Sequence, residues 1–420
     1  MSSNGNLDKT DPVVTGRQRE AIVVGAGPVG LVAALALHAG GRSVTVLEGE
    51  PEGRQRPGSR AIYIHKATLK FLEQICAGLG RELADHGLVW PTKRTFYRGQ
   101  EVYVRQYPPF NPADLPPFTS LPQVEIERLL MAACQKAGIE LAWNERIKDV
   151  TTSEGGVTLT TEAGRTWEAR YVIAADGARS AIRRSLDIPM EGERSKNYFI
   201  VVDVKEDPEQ PLPLERVFHY EHPAVGHRNV LLVPFQGGWR IDLQCNEADN
   251  AQEFSSEEGV RRWLSKVVPA RYAGRITWVS TYQFLQQIAG SFTDQNRRVL
   301  LVGEAAHLFA PFGARGLNSG VADAVMAAEA VAGALRADSP GKAREAIENF
   351  ASERRAAADY NRNAAGVALK HMTTGGSRWL WLKRYAAARV AALGLRAGRW
   401  LDEGPYGPRT GPGGKVSSKY

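Results

Sequence analysis

The sequence is poor in cysteine and has no long hydrophobic run. Its three cysteines, Cys76, Cys134 and Cys245, lie far apart and form no C-x-x-C pair. An odd number of separated cysteines does not fit a disulfide framework and suits the reduced thiols of a cytosolic protein. The longest apolar stretch, residues 30–41, is too short and too rich in glycine to cross a bilayer, and the N-terminus lacks the apolar core of a signal peptide. We therefore expect a soluble, cytoplasmic chain.

Internal repeats and low-complexity blocks are also missing from the sequence. The chain has 420 residues, of which 43% are hydrophobic and 24% charged. These values are close to those of soluble globular proteins, so global disorder and a collagen-like repeat do not fit. The length corresponds to about three domains and is sufficient for a large core.

The excess of positive charge belongs to one end of the chain. The whole sequence contains 53 Lys and Arg against 46 Asp and Glu, a net charge of +7. Residues 352–420 hold 13 of the basic and 4 of the acidic side chains, which leaves the rest of the chain at −2. We predict no nucleic-acid partner, because the body of the protein is slightly acidic and the basic end carries no recognised nucleic-acid-binding motif.

A glycine motif near the N-terminus predicts a dinucleotide site. A short β-branched run leads into Gly25-x-Gly27-x-x-Gly30, with Pro28 at the start of the following helix, and the next strand ends at Glu48. Glycines allow a tight turn and close approach of a pyrophosphate, the helix N-terminus offers free N–H groups, and the acid accepts hydrogen bonds from a ribose. The motif fits NAD or FAD, and a glycine-rich turn without a nucleotide is the alternative.

Two later segments each follow a short buried strand and place glycine beside an acid. They are Asp176-Gly177-x-x-Ser180-x-x-Arg183 and Gly303-Glu304-x-x-His307, the second running into Pro311-x-Gly313-x-Arg315-Gly316-Leu317-Asn318 before a long helix. In this order and at these separations, the three motifs resemble those of the para-hydroxybenzoate hydroxylase family, the single-component (class A) FAD-dependent aromatic hydroxylases. The resemblance covers about residues 20–370.

This resemblance implies an α/β fold, in which a FAD-binding Rossmann-like domain of the glutathione-reductase type is interleaved with a mixed β-sheet substrate domain and followed by C-terminal helices. The expected FAD-binding domain comprises residues 20–92, 115–196 and 287–340, and the substrate domain residues 93–114 and 197–286. We expect C-terminal helices over 341–403, a disordered lead over 1–19 and a flexible tail over 404–420. Sequence patterns also predict a helix over 60–75 and a Pro-rich loop over 108–122.

The resemblance assigns most of the motif residues to FAD. The ADP part is expected at Gly25, Gly27, Pro28, Gly30 and Glu48, the flavin phosphate at Arg60, a flavin contact at Gln123, further cofactor contacts at Asp176, Gly177, Arg183, Gly303 and Glu304, and the flavin-facing loop at Pro311, Gly313, Arg315, Gly316, Leu317 and Asn318. Backbone N–H groups and a helix start in that loop favour an anionic reduced flavin.

Glu304 departs from the family pattern, which has an aspartate at this position. The longer side chain keeps the acceptor for the ribityl chain, so FAD is expected to bind with a shifted carboxylate, and the alternative is an acid that only begins a helix. Arg315 is either an additional cation beside the flavin or an arginine that pairs at the surface. His65 and His307 flank the flavin motifs, and a structural role is favoured over a catalytic one for both.

The substrate is expected beneath the mixed sheet, where one strand alternates strictly. Trp239, Ile241, Leu243 and Cys245 share one face of that strand, so one face should cover the ring and the other should pack or face water. Candidates for a contact with a phenol or carboxylate are His219, Tyr220, Arg240, Gln244 and Tyr282, each with an ordinary structural role in a sheet as the alternative. His222 and His227 have no third ligand nearby, so no metal site is expected.

By this resemblance the activity is aromatic hydroxylation. NADH or NADPH would reduce FAD, O₂ would add at the flavin C4a, and the resulting hydroperoxide would transfer OH to an electron-rich ring such as a phenol, a hydroxy- or aminobenzoate or a polycyclic phenol. N-hydroxylation, epoxidation and reduction of double bonds are alternatives on the same scaffold. A flavin-holding sensor without activity is an alternative of a different class.

The basic C-terminal region allows three interpretations. Residues 378–400 combine tryptophans with arginines, which fits a helix packed on the body, a membrane-surface contact or a docking site for an acidic carrier protein. A monomer and a homodimer are both compatible with the sequence.

Overall fold

The computed structural model describes residues 18–54, 61–373, 377–391 and 397–408. The strands in these ranges are β1 (Arg19–Val24), β2 (Val44–Leu47), β3 (Ala61–His65), β4 (Thr92–Tyr97), β5 (Gln100–Gln106), β6 (Phe118–Pro122), β7 (Glu140–Ala142), β8 (Ile147–Ser153), β9 (Gly156–Thr161), β10 (Thr166–Ala174), β11 (Met190–Lys205), β12 (Glu215–His222), β13 (Arg228–Phe235), β14 (Gly238–Cys245), β15 (Ile276–Ala289), β16 (Val299–Leu301) and β17 (His307–Leu308).

The helices in the same ranges are α1 (Pro28–Ala39), α2 (Lys66–Ile75), α3 (Leu79–His86), α4 (Gln123–Lys136), α5 (Ala181–Ser185), α6 (Ala251–Ser255), α7 (Glu257–Leu264), α8 (Arg315–Arg336), α9 (Pro340–Met372), α10 (Arg378–Ala391) and α11 (Ala397–Glu403). No helix in the described part of the chain is long and apolar enough to span a bilayer. The predictions for Arg60, for residues 1–17 and for residues 409–420 fall outside the described residues.

One sheet has seven strands and a largely parallel centre. Its order is β7-β2-β1-β10-β9-β8, with β16 also paired to β10. β1 pairs in parallel with β2 and with β10, and β10 pairs in parallel with β16. β1 ends in four buried apolar residues, as expected for a strand covered on both faces, and α1 packs against α8. Because β1, β10 and β16 are parallel neighbours, the three glycine motifs that follow them meet at one edge of the sheet.

The other large sheet has eight strands in the order β17-β15-β11-β14-β13-β12-β4-β5. Its two faces have different partners. On β11, Ile200 and Val202 belong to the core that this sheet forms with α7, whereas Phe199 and Val201 point to the opposite side, toward α9 and the C-terminal helices. The predicted α/β architecture, with an interleaved mixed sheet and C-terminal helices, is confirmed.

Two local predictions are wrong. The predicted helix over 60–75 begins with strand β3, and only α2 is helical, because the alternating Ile62 and Ile64 pair with β6 in a two-stranded ribbon. The predicted loop over 108–122 ends in that same β6, whose five residues are all buried. Neither short strand has a pattern long enough to distinguish it from a helix or a loop.

The C-terminal strap, residues 397–408, packs across the eight-stranded sheet. Lys93 Nζ lies 2.7 Å from Asp402 Oδ1, and Arg105 Nη2 lies 2.8 Å from Asp402 Oδ2. Burial alone would raise the pKa of Asp402, but Lys93, Arg105 and the Thr95 hydroxyl outweigh it and lower that pKa. A buried carboxylate held by two cations fixes the strap in one position.

The strap also corrects where the predicted tail begins. Residues 404–406 form a 3-10 helix rather than an extended tail. Gly407, with a φ of 64°, lies so close to α9 that a Cβ there would overlap the carbonyl oxygen of Ala364. The glycine and proline content that suggested a flexible segment instead allows this close approach.

Candidate active site

A cavity of about 670 Å³ lies between the two large sheets. It begins at the glycine turn before α1 and passes the ends of β10 and β16. It then continues past the loop before α8 to the inner face of the eight-stranded sheet. Pro405 and Tyr406 of the strap form part of its wall. Its size and its few charged groups among aromatic walls are typical of a cofactor and small-molecule site.

The glycine turn forms a tight cradle at one end of the cavity. Gly25 has a φ of +102°, and a Cβ there would lie 2.5 Å from the carbonyl oxygen of Ala175. A Cβ on Gly30 would overlap the carbonyl oxygen of Gly25. Gly27 caps α1 without a side-chain hydrogen bond, and Pro28 follows as the first helical residue. Gly27 and Pro28 line the cavity, so the N–H groups of the first turn are available to an anion.

Glu48 lies beside this cradle, held by groups of the protein. Its Oε2 accepts a hydrogen bond of 2.7 Å from the Ala26 N–H and lies 2.6 Å from Arg54 Nη1. Arg54 also donates to the carbonyl oxygen of Ala26 at 2.9 Å. No sequence motif identified Arg54, which lies in an irregular segment after β2. Together the Ala26 N–H and the Arg54 guanidinium orient the Glu48 carboxylate at the end of β2, where a ribose is expected.

Asp176 is a buried acid with an unused oxygen. Its Oδ2 accepts from the Ile182 N–H at 3.2 Å, whereas its buried Oδ1 has no hydrogen-bond partner among the described residues. Burial raises the pKa of Asp176 above its ordinary value. Gly177 follows with a φ of +78° and lines the cavity. An acceptor of this kind beside a glycine backbone suits a hydroxyl group of a cofactor.

Arg183, predicted to bind cofactor, braces two loops and does not line the cavity. Its Nη1 donates to the carbonyl oxygen of Ala305 at 3.0 Å, and its Nη2 donates to that of Ala178 at 3.4 Å. Burial lowers its pKa, although Asp176 opposes this effect. The arginine therefore joins the turn after β10 to the turn after β16.

The turn after β16 is anchored by a buried triad. Asp323 Oδ2 accepts from the Gly303 N–H at 3.1 Å and lies 2.6 Å from His307 Nε2. Asp323 Oδ1 accepts from Arg354 Nε at 2.6 Å, and both side chains of that pair are fully buried. His307 and Arg354 lower the pKa of Asp323 against the opposing effect of burial. Glu304 points outward from this anchored turn, is exposed and lines the cavity.

Five residues of the loop predicted to face the flavin line the cavity: Pro311, Gly313, Arg315, Gly316 and Leu317. Gly313 has a φ of 78° and Ala314 a φ of 55°, which turn the chain into α8. His65 Nε2 lies 3.1 Å from the carbonyl oxygen of Gly313 and supports the turn from β3. Gln123, at the start of α4, lines the cavity on another side.

Asn318 was predicted to contact the cofactor, but its side chain has structural partners. Its Oδ1 accepts from the His65 N–H at 3.0 Å and from Thr68 Oγ1 at 2.7 Å. Its Nδ2 donates to the carbonyl oxygens of Tyr63 and Ala314. The amide is fully buried and joins the first turn of α8 to β3 and α2.

Arg315 is buried in the cavity wall, which overturns the alternative of an arginine that pairs at the surface. Its Nη1 donates to Asn361 Oδ1 at 2.6 Å. Its Nη2 donates to the carbonyl oxygens of Tyr406 and Pro408 at 3.1 and 2.8 Å. The guanidinium thus connects the loop before α8 to the C-terminal strap.

These features fit FAD. A glycine cradle and an uncapped helix start lie at one end of the cavity, where Asp176 stands between the lining residues Ala175 and Gly177, and the loop over 311–317 lies at the other end. Gly177 and Gly303 line the cavity between these two ends, and because they have no side chain they leave space along its wall. A long ligand with a pyrophosphate at its centre can follow this path.

The face of β14 that meets the cavity is the polar one, and the apolar face packs. Trp239, Ile241 and Leu243 pack into the core with α7, on the side away from the cavity. Arg240 and Asp242 line the cavity instead. The alternation of apolar and polar residues along β14 identified the two faces of the strand. It could not show which face lines the cavity, because that depends on α6 and α7, which cover the apolar face.

Arg240 and Asp242 form a charged pair beside an unpaired acid. Arg240 Nε and Nη2 donate to the two carboxylate oxygens of Asp242 at 2.7 and 2.9 Å. Asp203 lies opposite Arg240 on β11 and is 1% exposed, and neither of its carboxylate oxygens has a hydrogen-bond partner in the described structure. Burial raises the pKa of Asp203 to about 7, with Arg240 opposing and Asp242 reinforcing the shift.

Two predicted substrate contacts lie outside the cavity. His219 points to the other face of β12, stacks on Phe96, and has its pKa lowered to about 4 by burial and by His222. Tyr220 is fully buried beneath the C-terminal helices, where its hydroxyl donates to the carbonyl oxygen of Leu401 at 2.7 Å. Of the remaining candidates, Arg240 and Tyr282 line the cavity.

Gln244 lies outside the lining and acts through a neighbour. Its Oε1 accepts from Asn229 Nδ2 at 2.8 Å, and Asn229 lines the cavity. The amide therefore orients a wall residue on β13.

Arg216 is a wall residue that sequence reasoning missed. It lines the cavity and is 9% exposed, and its Nη1 donates to the Tyr406 hydroxyl at 2.6 Å. Its guanidinium also lies 5.0 Å from the centre of the Tyr406 ring. No carboxylate of the described residues forms an ion pair with it. The Phe218, Trp278, Tyr282 and Phe284 rings line the same cavity and form an aromatic chamber.

A family model described as FAD binding domain matches residues 18–364 of the chain. Among curated proteins, the 3-(3-hydroxy-phenyl)propionate/3-hydroxycinnamic acid hydroxylase of Escherichia coli (strain SMS-3-5 / SECEC) is 26% identical over 342 residues, covering 80% of this chain and 59% of the relative. The protein of that description from Klebsiella pneumoniae (strain 342) is 27% identical over 351 residues with equal coverage. The chain thus spans 59% of the length of these relatives.

Solved structures share the fold. The p-nitrophenol 4-monooxygenase PnpA from Pseudomonas putida DLL-E4 matches with a TM-score of 0.75 and 23% identity, covering 95% of this chain and all of that one. A tetrameric form of 2-methyl-3-hydroxypyridine-5-carboxylic acid oxygenase matches with a TM-score of 0.70 and 21% identity, covering 87% of this chain and 94% of the other.

The glycine cradle gives the first testable prediction. Gly30→Ala places a Cβ against the Gly25 carbonyl and forces the turn apart, so the purified variant should hold less than about a tenth of the wild-type FAD, since the backbone contacts to pyrophosphate are lost. Released FAD, measured by absorbance after denaturation, reports the content. Gly333→Ala in α8 is the control, because its nearest neighbour would lie 4.0 Å away. Wild-type flavin content in Gly30→Ala would contradict the assignment of the cradle.

The buried Asp203 gives a prediction on pH and stability. Its pKa of about 7 exceeds the unfolded value near 4, so ionisation penalises the folded state. The penalty is absent below the unfolded pKa, grows as the pH rises, and is complete above about pH 7, where it amounts to about 4 kcal/mol at most. Asp203→Asn should therefore be more stable than wild type at pH 8, with a smaller advantage at pH 5.

Urea denaturation of both proteins at the two pH values measures this difference. Asp242→Asn is the matched control on the neighbouring strand and should be less stable than wild type at pH 8, because Arg240 loses its carboxylate partner. An Asp203→Asn variant that is no more stable than wild type at pH 8 contradicts the prediction.

Proposed function

The chain belongs to the FAD binding domain family, and from that membership we propose that it is a flavin-dependent monooxygenase that hydroxylates an electron-rich aromatic compound. The observation that carries the proposal is the cavity, in which the ends of β1, β10 and β16 and the loop before α8 open directly into an aromatic chamber. The activities in the names of the similar hydroxylases and monooxygenases support it.

Bound FAD would supply the redox chemistry, which takes two electrons from NADH or NADPH, places one atom of O₂ on the ring and releases the other as water. Gly25, Gly27 and Gly30 would hold the pyrophosphate, and Glu48 and Asp176 would accept hydrogen bonds from hydroxyl groups. The helix start at Gly316 and Leu317 would face the flavin pyrimidine and stabilise negative charge there. Glu304, exposed in the cavity, is proposed to accept from the ribityl chain.

The chamber walls would exclude water and orient the substrate. Phe218, Trp278, Tyr282 and Phe284 provide apolar surface for a ring. Arg216 is a buried cation in this wall that forms no ion pair with a carboxylate of the described residues, so it would bind an anionic substituent. Hydroxy- and aminobenzoates are therefore favoured within the broader class that includes phenols and polycyclic phenols.

The proposal extends to the arrangement of the chain. Residues 20–92, 115–196 and 287–340 are proposed as the FAD-binding domain, and residues 93–114 and 197–286 as the substrate domain. Small aromatic substrate, O₂ and reduced nicotinamide are the proposed small-molecule partners. A monomer or a homodimer is proposed for the oligomeric state.

The experiment that tests the function starts from the purified protein loaded with FAD. NADH and NADPH are offered with hydroxybenzoates, aminobenzoates and polycyclic phenols, and nicotinamide oxidation is followed together with product mass. We expect at least one aromatic acid to accelerate oxidation about tenfold or more and to gain one oxygen atom on the ring. An N-oxide, an epoxide or a reduced product would assign an alternative reaction, and a protein that takes up no FAD would refute the proposal.

Arg216 gives a prediction on substrate binding. Arg216→Met keeps the length of the side chain and removes its charge, so the dissociation constant of 4-hydroxybenzoate should rise by about 10- to 100-fold, the effect of losing one charge-assisted hydrogen bond. The affinity for 4-cresol, which lacks the carboxylate, should stay within about threefold. Perturbation of the flavin absorbance measures both constants.

Arg94→Met serves as the control for this measurement. Arg94 lies on the same sheet, is paired with Glu215 and Glu101, and does not line the cavity. Its replacement should leave both constants unchanged. Equal losses of 4-hydroxybenzoate and 4-cresol affinity in Arg216→Met would show that Arg216 supports the wall and does not bind the anion.

A further inference from the structure

Helix α10 presents apolar side chains to solvent. Trp379 is 67% exposed, Leu382 48%, Tyr385 40%, and Trp381 and Val390 37% each. We name these five side chains the α10 patch. Large apolar side chains gathered on one helix surface mark an interaction site more often than a chance exposure.

The helix is inverted with respect to an ordinary surface helix. Its buried residues are Arg384 and Ala388. Arg384 Nη1 donates to the carbonyl oxygen of His371 at 2.9 Å, and its Nη2 lies 4.0 Å from Glu221. A surface helix normally buries its apolar stripe and exposes its charges. Here the arginine anchors the helix to the body while the tryptophans face outward.

The charges around the patch have one sign. Arg378, Lys383 and Arg389 are exposed, and α10 contains no Asp or Glu. Within the described ranges none of the three forms an ion pair with a carboxylate, and Lys383 Nζ lies 5.3 Å from the centre of the Trp379 ring. The patch therefore combines apolar and aromatic groups with cations that have no counter-charge of their own.

The positive charge around the α10 patch indicates which kind of partner can bind there. A second copy docked by two-fold symmetry would bring the same three cations against each other, which is unfavourable. Residues 409–420 contain Arg409, Lys415 and Lys419 and no acid, so they carry the same sign of charge as the patch. An anionic lipid surface satisfies both components, because tryptophan and tyrosine favour the headgroup region and cations attract acidic lipids.

We propose that the α10 patch docks this protein on the surface of an anionic lipid bilayer. Trp379 and Leu382 enter the interface, and Arg378, Lys383 and Arg389 contact the headgroups. Contact is peripheral, because only one face of one helix takes part.

The test is sedimentation of the full chain with vesicles of phosphatidylcholine alone, or of phosphatidylcholine with about one third phosphatidylglycerol. We expect partitioning to rise about 100-fold with the acidic lipid, at about 1 kcal/mol per cation, and to fall again in about 0.5 M NaCl. The variant with Arg378→Ser, Lys383→Ser and Arg389→Ser should bind both vesicles equally. The variant with Trp379→Ser and Leu382→Ser should lose at least about tenfold in partitioning on acidic vesicles.

Leu214→Ser is the matched control, since Leu214 is 43% exposed but lies before β12, away from α10. It should bind like the wild type, and circular dichroism melting and flavin content verify that every variant is folded. Equal binding of neutral and acidic vesicles, or unchanged binding after Trp379→Ser and Leu382→Ser, overturns the proposal. If wild type is a dimer on gel filtration and the variant with Trp379→Ser and Leu382→Ser is not, the occupant is a second copy and the proposal is overturned. If vesicles bind only a chain that ends at residue 408, residues 409–420 occupy the patch and the proposal is also overturned.

Discussion

Parallel pairing of β1, β10 and β16 is the constraint on which the site depends. β10 lies between the other two, and each ladder continues one residue past the strand ends, with Ala175 N donating to the Val24 carbonyl at 2.9 Å and Val302 N to the Ala174 carbonyl at 3.0 Å. The turns that follow β1, β10 and β16 are far apart in the chain, but they therefore begin side by side at the same edge of the sheet. A slip of one residue would reverse every side chain of the strand and move the glycines out of line.

The sequence was sufficient for the parts of the site that backbone geometry determines. A glycine directly after a strand usually serves a tight turn or a close approach of backbone to a ligand, so motifs alone predict the role of such residues. Of the motif glycines Gly25, Gly27, Gly177, Gly303 and Gly313, all but Gly25 line the cavity. The roles of individual side chains were harder to predict from the sequence. Arg183 and Asn318 belong to the recognised motifs, yet their side chains form hydrogen bonds with backbone groups of neighbouring segments of the protein.

What could not be predicted consists mainly of pairs distant in sequence. Asp323 and Arg354 lie in Ala-rich helices without a local signal, and they acquire their role only when α8 packs on α9. Lys93 meets Asp402 in the same way. Periodicity along β14 identified two faces, but only α6 and α7 decide which is covered. Buried charges are therefore where a single sequence says least, because their cost and their compensation arise from different segments.

The C-terminal strap has a consequence for how the protein is made. Its Tyr406 ring completes a wall whose other members come from residues that precede it in the chain, and Arg315 is held by carbonyl oxygens of Tyr406 and Pro408. During synthesis the chain emerges from its N-terminus, so the glycine cradle leaves the ribosome long before the strap. The strands and turns of the cofactor end are therefore all synthesised before the strap, so the Tyr406 part of the wall is the last to be added to the cavity.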